Sequence, residues 1–391
     1  MAWLTSEQAL AALGTKAQSL YASVSRGRIR AKPDPSDPRK SLYDRDDVHR
    51  LATRAAGRRK TETVAAETIR WGDPVMSTSL TAIADGRLYY RGRDVVALAG
   101  TATLEQVAAL LWDAGEVSFS VPAAASTSTQ AAPLQAAFAA LADRAATDGP
   151  ALGRSPASLH VEAAELVGTL AATLGAAPIE MPLHRRLASA WRRPETAHLL
   201  RRALVLLADH ELSASTFAAR ITASTGSSLA AATLSGLATL IGPLHGGTYA
   251  AIATLVAHAE IAGASAAFRH LGDGEKPLPG FGHRLYPQGD PRAEALLSDF
   301  PLPPAYAAIA AMAHERTGEP PNVDFALSAL AAAHGLPANA PLLLLALARS
   351  VGWLAHAQEQ ISTGSLIRPR ANYVGFPSRS SNDERTLIDR Q

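Results

Sequence analysis

The 391-residue chain contains no cysteine. That excludes disulfide bridges, thiolate nucleophiles and Cys-ligated zinc, and it suits a reducing compartment, so a cytoplasmic location is expected. Long apolar runs are also missing. The longest, Pro341–Ala348, is far too short to cross a bilayer, and no membrane association is expected. Met1–Leu10 lacks a basic start followed by an apolar core, so no secretory leader is expected. There is no cluster of metal-ligating residues and no Gly-rich nucleotide fingerprint behind a strand, so neither a metal nor a redox cofactor is expected. β-branched runs are few.

What is present is apolar residues at 47%, with heavy use of alanine. This is the balance of a globular chain in which helices dominate, and the length allows two or three domains around a large core. Charge is unevenly spread. Residues 1–60 hold 13 Lys/Arg against 6 Asp/Glu, a net of +7, whereas residues 61–391 hold 24 against 29, a net of −5. A basic head on a mildly acidic body implies two modules with different partners.

In the head, Thr5 and Gln8 have the spacing of a capping box for a helix that ends at Gly14. A second helix is expected over roughly Lys16–Val24, then a Pro- and Asp-rich loop at Lys32–Arg39, then a third helix entered through Leu42-Tyr43-Asp44. Helix, tight turn, helix and basic hairpin is a winged helix-turn-helix layout. The segment resembles the excisionase/MerR-like family in Leu4–Leu13, in Leu20-Tyr21 with Val24–Ile29, and in Tyr43-Asp44 with Asp47-Val48. The resemblance implies duplex DNA as a partner, with Arg28, Arg30, Arg39 and Lys40 on phosphates. A three-helix appendage serving solubility or subunit contact fits the same residues.

In the body, Val64–Ile69 and Arg87–Arg91 read as short strands, the second after an Asp85-Gly86 turn. Helices are expected over Leu104–Ala114, Leu134–Ala145, Leu159–Leu174, Pro194–Leu212, Ser215–Leu240, Thr248–Ala262, Pro304–Glu315, Phe325–His334 and Pro341–Gln360, with Ser118–Gln130 a low-complexity loop. Three segments carry chemistry: Gly-Pro-Leu-His-Gly-Gly at 242–247, Pro-Gly-Phe-Gly-His-Arg at 279–284 and Pro-Asn-Val-Asp-Phe at 321–325. Each sets one ionisable side chain, His245, His283 or Asp324, beside a helix-breaking residue. Two imidazoles and one carboxylate suit proton abstraction next to a carbonyl, with neutral donors holding the oxyanion. Taken singly, Asp324 also fits a plain helix cap. His245 and His210 also fit backbone-bonded structural histidines, and His283 and Arg292 surface charges. Arg349 ends an apolar run and needs a counter-ion, which a substrate carboxylate, or else Glu359 or another protein acid, would supply.

The body is similar to citrate synthases over about residues 62–375. Tyr89–Asp94, His210-Glu211 with Ser213–Phe217 and Arg220, the three segments above with Tyr286 and Asp290–Arg292, Ala348-Arg349 with Val351–His356, and Ile367–Arg370 with Tyr373–Gly375 follow in the family's order. The resemblance implies a mainly α fold: a large helical subdomain (about 62–214 and 325–391) and a small one (about 215–324) that close over substrates, with the head at 1–60. It implies condensation of acetyl-CoA with oxaloacetate. Asp324 would be the base, His245 the enolate donor and His283 the acid on the ketone. His210, His283, Arg292, Arg349 and, across a homodimer, Arg368 would bind oxaloacetate. The backbone of Leu278, Pro279, Gly280, Phe281 and Gly282 would hold the adenine of coenzyme A. Propionyl-CoA in a 2-methylcitrate synthase, or a DNA-binding sensor on a weakly active body, are the alternatives. Thr248, Tyr249, Pro287 and Ala326 depart from the family's usual residues, which bears on acyl choice and efficiency.

Overall fold

A computed structural model describes residues 3–13, 20–21, 23–24, 29–34, 37–45, 47–48, 76–119, 132–176, 181–271 and 277–369. It divides into two compact units, Met1–Ser77 with Pro369–Gln391, and Thr78–Arg368. The expected boundary at 60 and 61 and the strand at Val64–Ile69 lie outside the described residues.

In the first unit, β1 (Trp3–Leu4), β2 (Ala31–Asp34) and β3 (Asp37–Asp44) form an antiparallel sheet in the order β1-β3-β2. Helix α1 (Ser6–Leu13) starts on the expected capping box: Gln8 N donates to Thr5 Oγ1 at 3.3 Å, and Thr5 N to Gln8 Oε1 at 3.0 Å. Ala9, Leu20, Ile29, Tyr43 and Val48 make a small core. The loop expected at Lys32–Arg39 is largely strand, and Leu42–Asp44 is the end of β3, with helical residues following at 45 and 47–48 as expected. Pro33, which lacks an N–H, is tolerated because β2 is an edge strand whose register shifts there. Most of the expected second helix, with Arg28 and the side chain of Arg39, lies outside the described residues. Arg30 is held by Asp44 and Asp47, at 3.1 and 2.7 Å, and Lys40 lies 3.5 Å from Asp37.

The second unit opens with a meander, β4 (Thr81–Ala84), β5 (Arg87–Tyr90) and β6 (Arg93–Asp94). Asp85 and Gly86, at φ 51° and 72°, make the tight turn that a right-twisted hairpin requires. Helices follow: α2 (Val95–Thr101), α3 (Leu104–Trp112), α4 (Pro133–Thr147), α5 (Pro156–Thr173), α6 (Leu183–Ala190), α7 (Ala197–Leu207), α8 (Ala214–Ser224), α9 (Leu229–Leu240), α10 (Thr248–Ala262), α11 (Ala264–Leu271), α12 (Pro291–Leu297), α13 (Pro304–Thr317), α14 (Val323–Ala333) and α15 (Ala340–Thr363).

Two expected helices are corrected. The stretch 215–240 is two helices, because Gly226 adopts φ 82° and Ser228 caps α9 through a bond from Ala231 N. The helix expected over Pro194–Leu212 begins as a 3-10 turn at Pro194–Thr196 and ends at Leu207, leaving 209–212 as a non-helical turn with Glu211 at φ 51°. The second break places His210 beside the site.

Helix α15 is the axis of the fold. It is surrounded by α3, α5, α7, α8, α9 and α14. By length and hydropathy it is the one described helix able to cross a membrane, but its apolar window is wholly buried in protein, as in a core helix. Tyr90, also buried, holds the end of α7 against the meander: its hydroxyl lies 3.2 Å from Val205 O and 3.1 Å from Asp209 O.

Candidate active site

Two loops about 40 residues apart are stitched together by their own backbone. Gly282 N donates to Pro320 O and Asn322 N to Gly280 O, both at 2.9 Å, and the Asn322 amide reaches Gly282 O at 3.1 Å. Phe281 pairs with Pro321 in a β-bridge, and its ring packs tilted against Phe325 with centroids 4.8 Å apart. These bonds bring His283 and Asp324 to one place. Phe281 is buried, and Leu278 and Pro279 are half-buried, so Leu278–Gly282 offers a ligand chiefly its backbone. Gly280 and Gly282 adopt φ 85° and 65°, a region open to glycine at little cost.

Asp324 does not cap α14. Asn322 does, accepting from Asp324 N at 3.1 Å and Phe325 N at 3.4 Å. The Asp324 carboxylate sits in the first turn, with no hydrogen-bond donor among the described residues. Burial lifts it to about 6, against the pull of Arg292 and Arg349. A part-buried carboxylate poised near neutrality, with its lone pairs free, is suited to act as a base.

The two histidines are neutral at pH 7. Burial, with Arg349 nearby, lowers His245 to about 4, and burial with Arg292 lowers His283 to about 4. His283 Nδ1 accepts from Leu285 N at 3.2 Å, which leaves the ring proton on Nε2. His245 stands in the tight turn before α10, where Thr248 Oγ1 donates to its carbonyl at 2.8 Å. Its Nε2 lies 2.8 Å from Ser215 Oγ, and that oxygen accepts from Trp353 Nε1 at 3.1 Å. The indole can only donate, so the serine hydroxyl is free to donate to His245 Nε2, and Nδ1 becomes the donor.

His210 completes a ring cluster. It lies 5.3 Å from His283 between centroids, and its Nε2 is 3.0 Å from the Tyr286 hydroxyl. Burial, with Arg292 and Arg349, holds it well below the ordinary histidine value, and burial lifts Tyr286 to about 12. The two buried arginines of the site are held differently. Arg292 grips Asp290 through Nε at 2.9 Å and Nη2 at 2.8 Å, and Asp290 also accepts from Val323 N at 3.0 Å, tying α12 to the turn that carries Asp324. Arg349 meets only neutral acceptors, Leu207 O at 3.0 Å and Ser213 Oγ at 3.2 Å. The expected protein counter-ion, Glu359, pairs with Arg220 instead. Among the described residues no acceptor meets Arg292 Nη1 or Arg349 Nη2.

The site therefore joins His210, His245, His283, Arg292, Arg349 and Asp324 within one electrostatic neighbourhood. Arg368 stands apart, exposed at the end of the unit. No role was read from sequence for Ser215, Tyr286 or Asp290; their only signal was their place in the ordered motifs. Two other features share no residue with this cluster. One is a cleft of about 570 Å³ lined by Arg144, Arg154, Glu162 and Glu165, and the other is a His258–His270 pair with centroids 4.4 Å apart. Among the described residues no three potential metal ligands gather.

A sequence model described as citrate synthase, C-terminal domain, matches residues 116–370. Citrate synthase 2 of Bacillus subtilis is 34% identical over 193 residues, covering 46% of this chain and 52% of that protein. 2-Methylcitrate synthase 2 of Corynebacterium glutamicum is 34% identical over 189 residues, 46% of this chain and 49% of that protein. The chain thus spans about half the length of the curated relatives it matches. Among solved structures, a citrate synthase from Thermotoga maritima superposes with a TM-score of 0.66 at 26% identity, covering 82% of this chain and 98% of that one. A citrate synthase from Thermoplasma acidophilum, solved as a ternary complex with carboxymethyl coenzyme A and oxaloacetate, superposes with a TM-score of 0.62 at 25% identity, with the same coverage.

Proposed function

The chain belongs to the citrate synthase family, and from that premise we propose that it condenses acetyl-CoA with oxaloacetate to give citrate and CoA. One observation carries the reading: two neutral imidazoles, a carboxylate raised to about 6 and two arginines with open Nη groups share one site.

Asp324 takes a methyl proton of the thioester. His245 Nδ1–H donates to the carbonyl oxygen as it becomes an enolate oxygen, a contact worth roughly 3–4 kcal/mol. The enolate carbon attacks the ketone of oxaloacetate, and His283 Nε2–H supplies the proton to the new alkoxide. Arg292 and Arg349 grip the two carboxylates, and His210 contacts the same substrate. Water then cleaves the thioester, releasing CoA and citrate. Coenzyme A lies along the backbone of Leu278–Gly282. Arg368, exposed here, serves the site of a second copy, so the working unit is a homodimer.

A second substrate is favoured by a specific observation. Relatives named citrate synthase are 34% and 38% identical and a relative named 2-methylcitrate synthase is 34% identical, a difference too small to separate the two substrates. A single methylene discriminates by only ~1–3 kcal/mol. Free thiol released from acetyl-CoA and from propionyl-CoA, each with oxaloacetate, tests both readings. The higher kcat/KM names the substrate, and release from neither ends the proposal.

A further inference from the structure

Behind the arginines lies a second network that the mechanism does not use. Asp209 is fully buried. Its Oδ2 accepts from Thr81 Oγ1 at 2.5 Å and from His356 Nε2 at 3.2 Å. On the other side of the imidazole, Arg220 Nη1 lies 3.3 Å from His356 Nδ1 and 2.8 Å from Glu359 Oε2. A guanidinium only donates, so Nδ1 accepts and Nε2 carries the proton given to Asp209. The tautomer of a wholly buried histidine is thereby set by a cation on one side and an anion on the other.

The network is built onto the substrate-binding face. Arg349, Gly352 and His356 stand at i, i+3 and i+7, one face of α15. Each touches the segment that leads to His210: Arg349 donates to Leu207 O, Gly352 N donates to Ala208 O at 3.0 Å, and His356 donates to Asp209. A side chain at 352 would overlap Asp209 Oδ1 and Ala208 O, so glycine there is a spatial requirement. Burial pushes the Asp209 carboxyl up, but its interactions with His356, Arg349 and Thr81 outweigh this and hold it below the ordinary value. Among the charges acting on Arg349, Asp209 is the largest.

We propose that Asp209 and His356 are positioning residues for the oxaloacetate half of the site. They clamp residues 207–210 to α15 and set a buried negative charge behind Arg349. That charge holds the arginine in place while leaving its free edge to the substrate. The proposal deepens the reading given under Proposed function and rests on it.

The test uses the full-length protein. His356→Ala removes the donor to Asp209. The expected result is a rise of about tenfold in KM for oxaloacetate, with KM for the thioester changed less than about twofold and a smaller fall in kcat. His356→Gln, which keeps an amide donor, restores most of the affinity. A loss that comes from general loosening of the core raises both KM values together, and that outcome overturns the proposal. An unchanged KM for oxaloacetate in His356→Ala overturns it as well. If the alanine variant does not fold, Thr81→Val weakens the same carboxylate without opening a cavity, and a smaller selective rise is expected. No rise there also refutes the idea. Thermal stabilisation by oxaloacetate is measured alongside, without thioester. Wild-type stabilisation without thiol release rejects the condensation reading, and His356→Ala then still decides this proposal through its weaker shift. Thiol release with equal shifts in both proteins rejects only the proposal. A wild-type protein that oxaloacetate does not stabilise rejects both.

Discussion

The site has two faces made in opposite ways. The loop face, Leu278–Asp290 with Pro320–Asp324, is glycine- and proline-rich chain whose shape comes from backbone bonds between loops. Its arginine, Arg292, is neutralised within the chain by Asp290. The helix face, residues 207–215 with α15, is set by close packing in the core, and its arginine meets only neutral acceptors. The difference separates two tasks. A charge paired directly within the chain holds architecture, and a buried charge with no direct ion pair, offset only from behind by Asp209, keeps its free edge for an anion.

The largest expected effect tests the loop face alone. Asp324→Asn removes the base and lowers kcat by about 10²–10⁴-fold. Oxaloacetate binding, which belongs to the arginines, is retained when read by its thermal shift. If most activity survives, Asp324 is not the base and the loop face loses its chemical role.

Next come the two arginines, exchanged one at a time for methionine. Arg292→Met leaves Asp290 buried and alone, and costs about 3–5 kcal/mol in stability, read by denaturant unfolding. Arg349→Met removes a charge that makes no direct ion pair but offsets the buried Asp209 behind it, so the loss of stability is smaller than for Arg292→Met, while oxaloacetate binding is lost. Equal destabilisation by the two would erase the distinction between the faces.

How much of this could be read from sequence follows the same divide. The chemical residues were legible because helix-breaking neighbours advertise them: Gly246-Gly247 after His245, Pro279 and Gly280 before His283, Pro320-Pro321 before Asp324. The long helices α10, α13 and α15 were legible from composition. The break between α8 and α9 was missed, because a single glycine in an alanine-rich stretch is a weak stop signal and the decisive φ at Gly226 is a backbone property. The end of α7 was missed for a tertiary reason. Val205-Leu206-Leu207 runs on apolar, and what stops the helix is Tyr90 and α15 claiming the 207–209 carbonyls. The partners of Arg349 and Arg292 were also out of reach, since Asp290 and Glu359 are equally plausible counter-ions until the helices are placed.

The pH dependence sharpens the comparison further. The Asp324 carboxyl is raised in the folded protein from an ordinary 3.8 to about 6. The folded state therefore binds more protons between these values, and the ionised group weighs against folding above pH 6. Replacing it by asparagine is expected to stabilise the protein at pH 8 by at most about 3 kcal/mol and by almost nothing at pH 4. In the wild type, kcat/KM falls as pH drops through about 6, while the histidines, already neutral, leave no step between 6 and 8. A stabilisation that is equal at both pH values would mean the carboxylate is not strained by burial.

The smallest expected effects separate two uses of glycine. On the helix face, Gly236 of α9 touches the Trp353 ring; an added Cβ would sit 2.6 Å from Cδ2. Trp353 supports Ser215, which holds His245. Gly236→Ala therefore overpacks a rigid neighbour and costs ~1–3 kcal/mol, with a loss of kcat transmitted through His245. On the loop face, an added Cβ at Gly282 meets the carboxylate end of Glu319, an exposed and flexible side chain, so space is easily made. The cost there is conformational, the φ of 65° being unfavourable for alanine by about 1 kcal/mol. Gly282→Ala should be the milder change in unfolding experiments, and its kinetic effect should fall on the KM for the thioester rather than on kcat. A reversed order would mean that the loop, not the helix core, is the stiffer wall of the site.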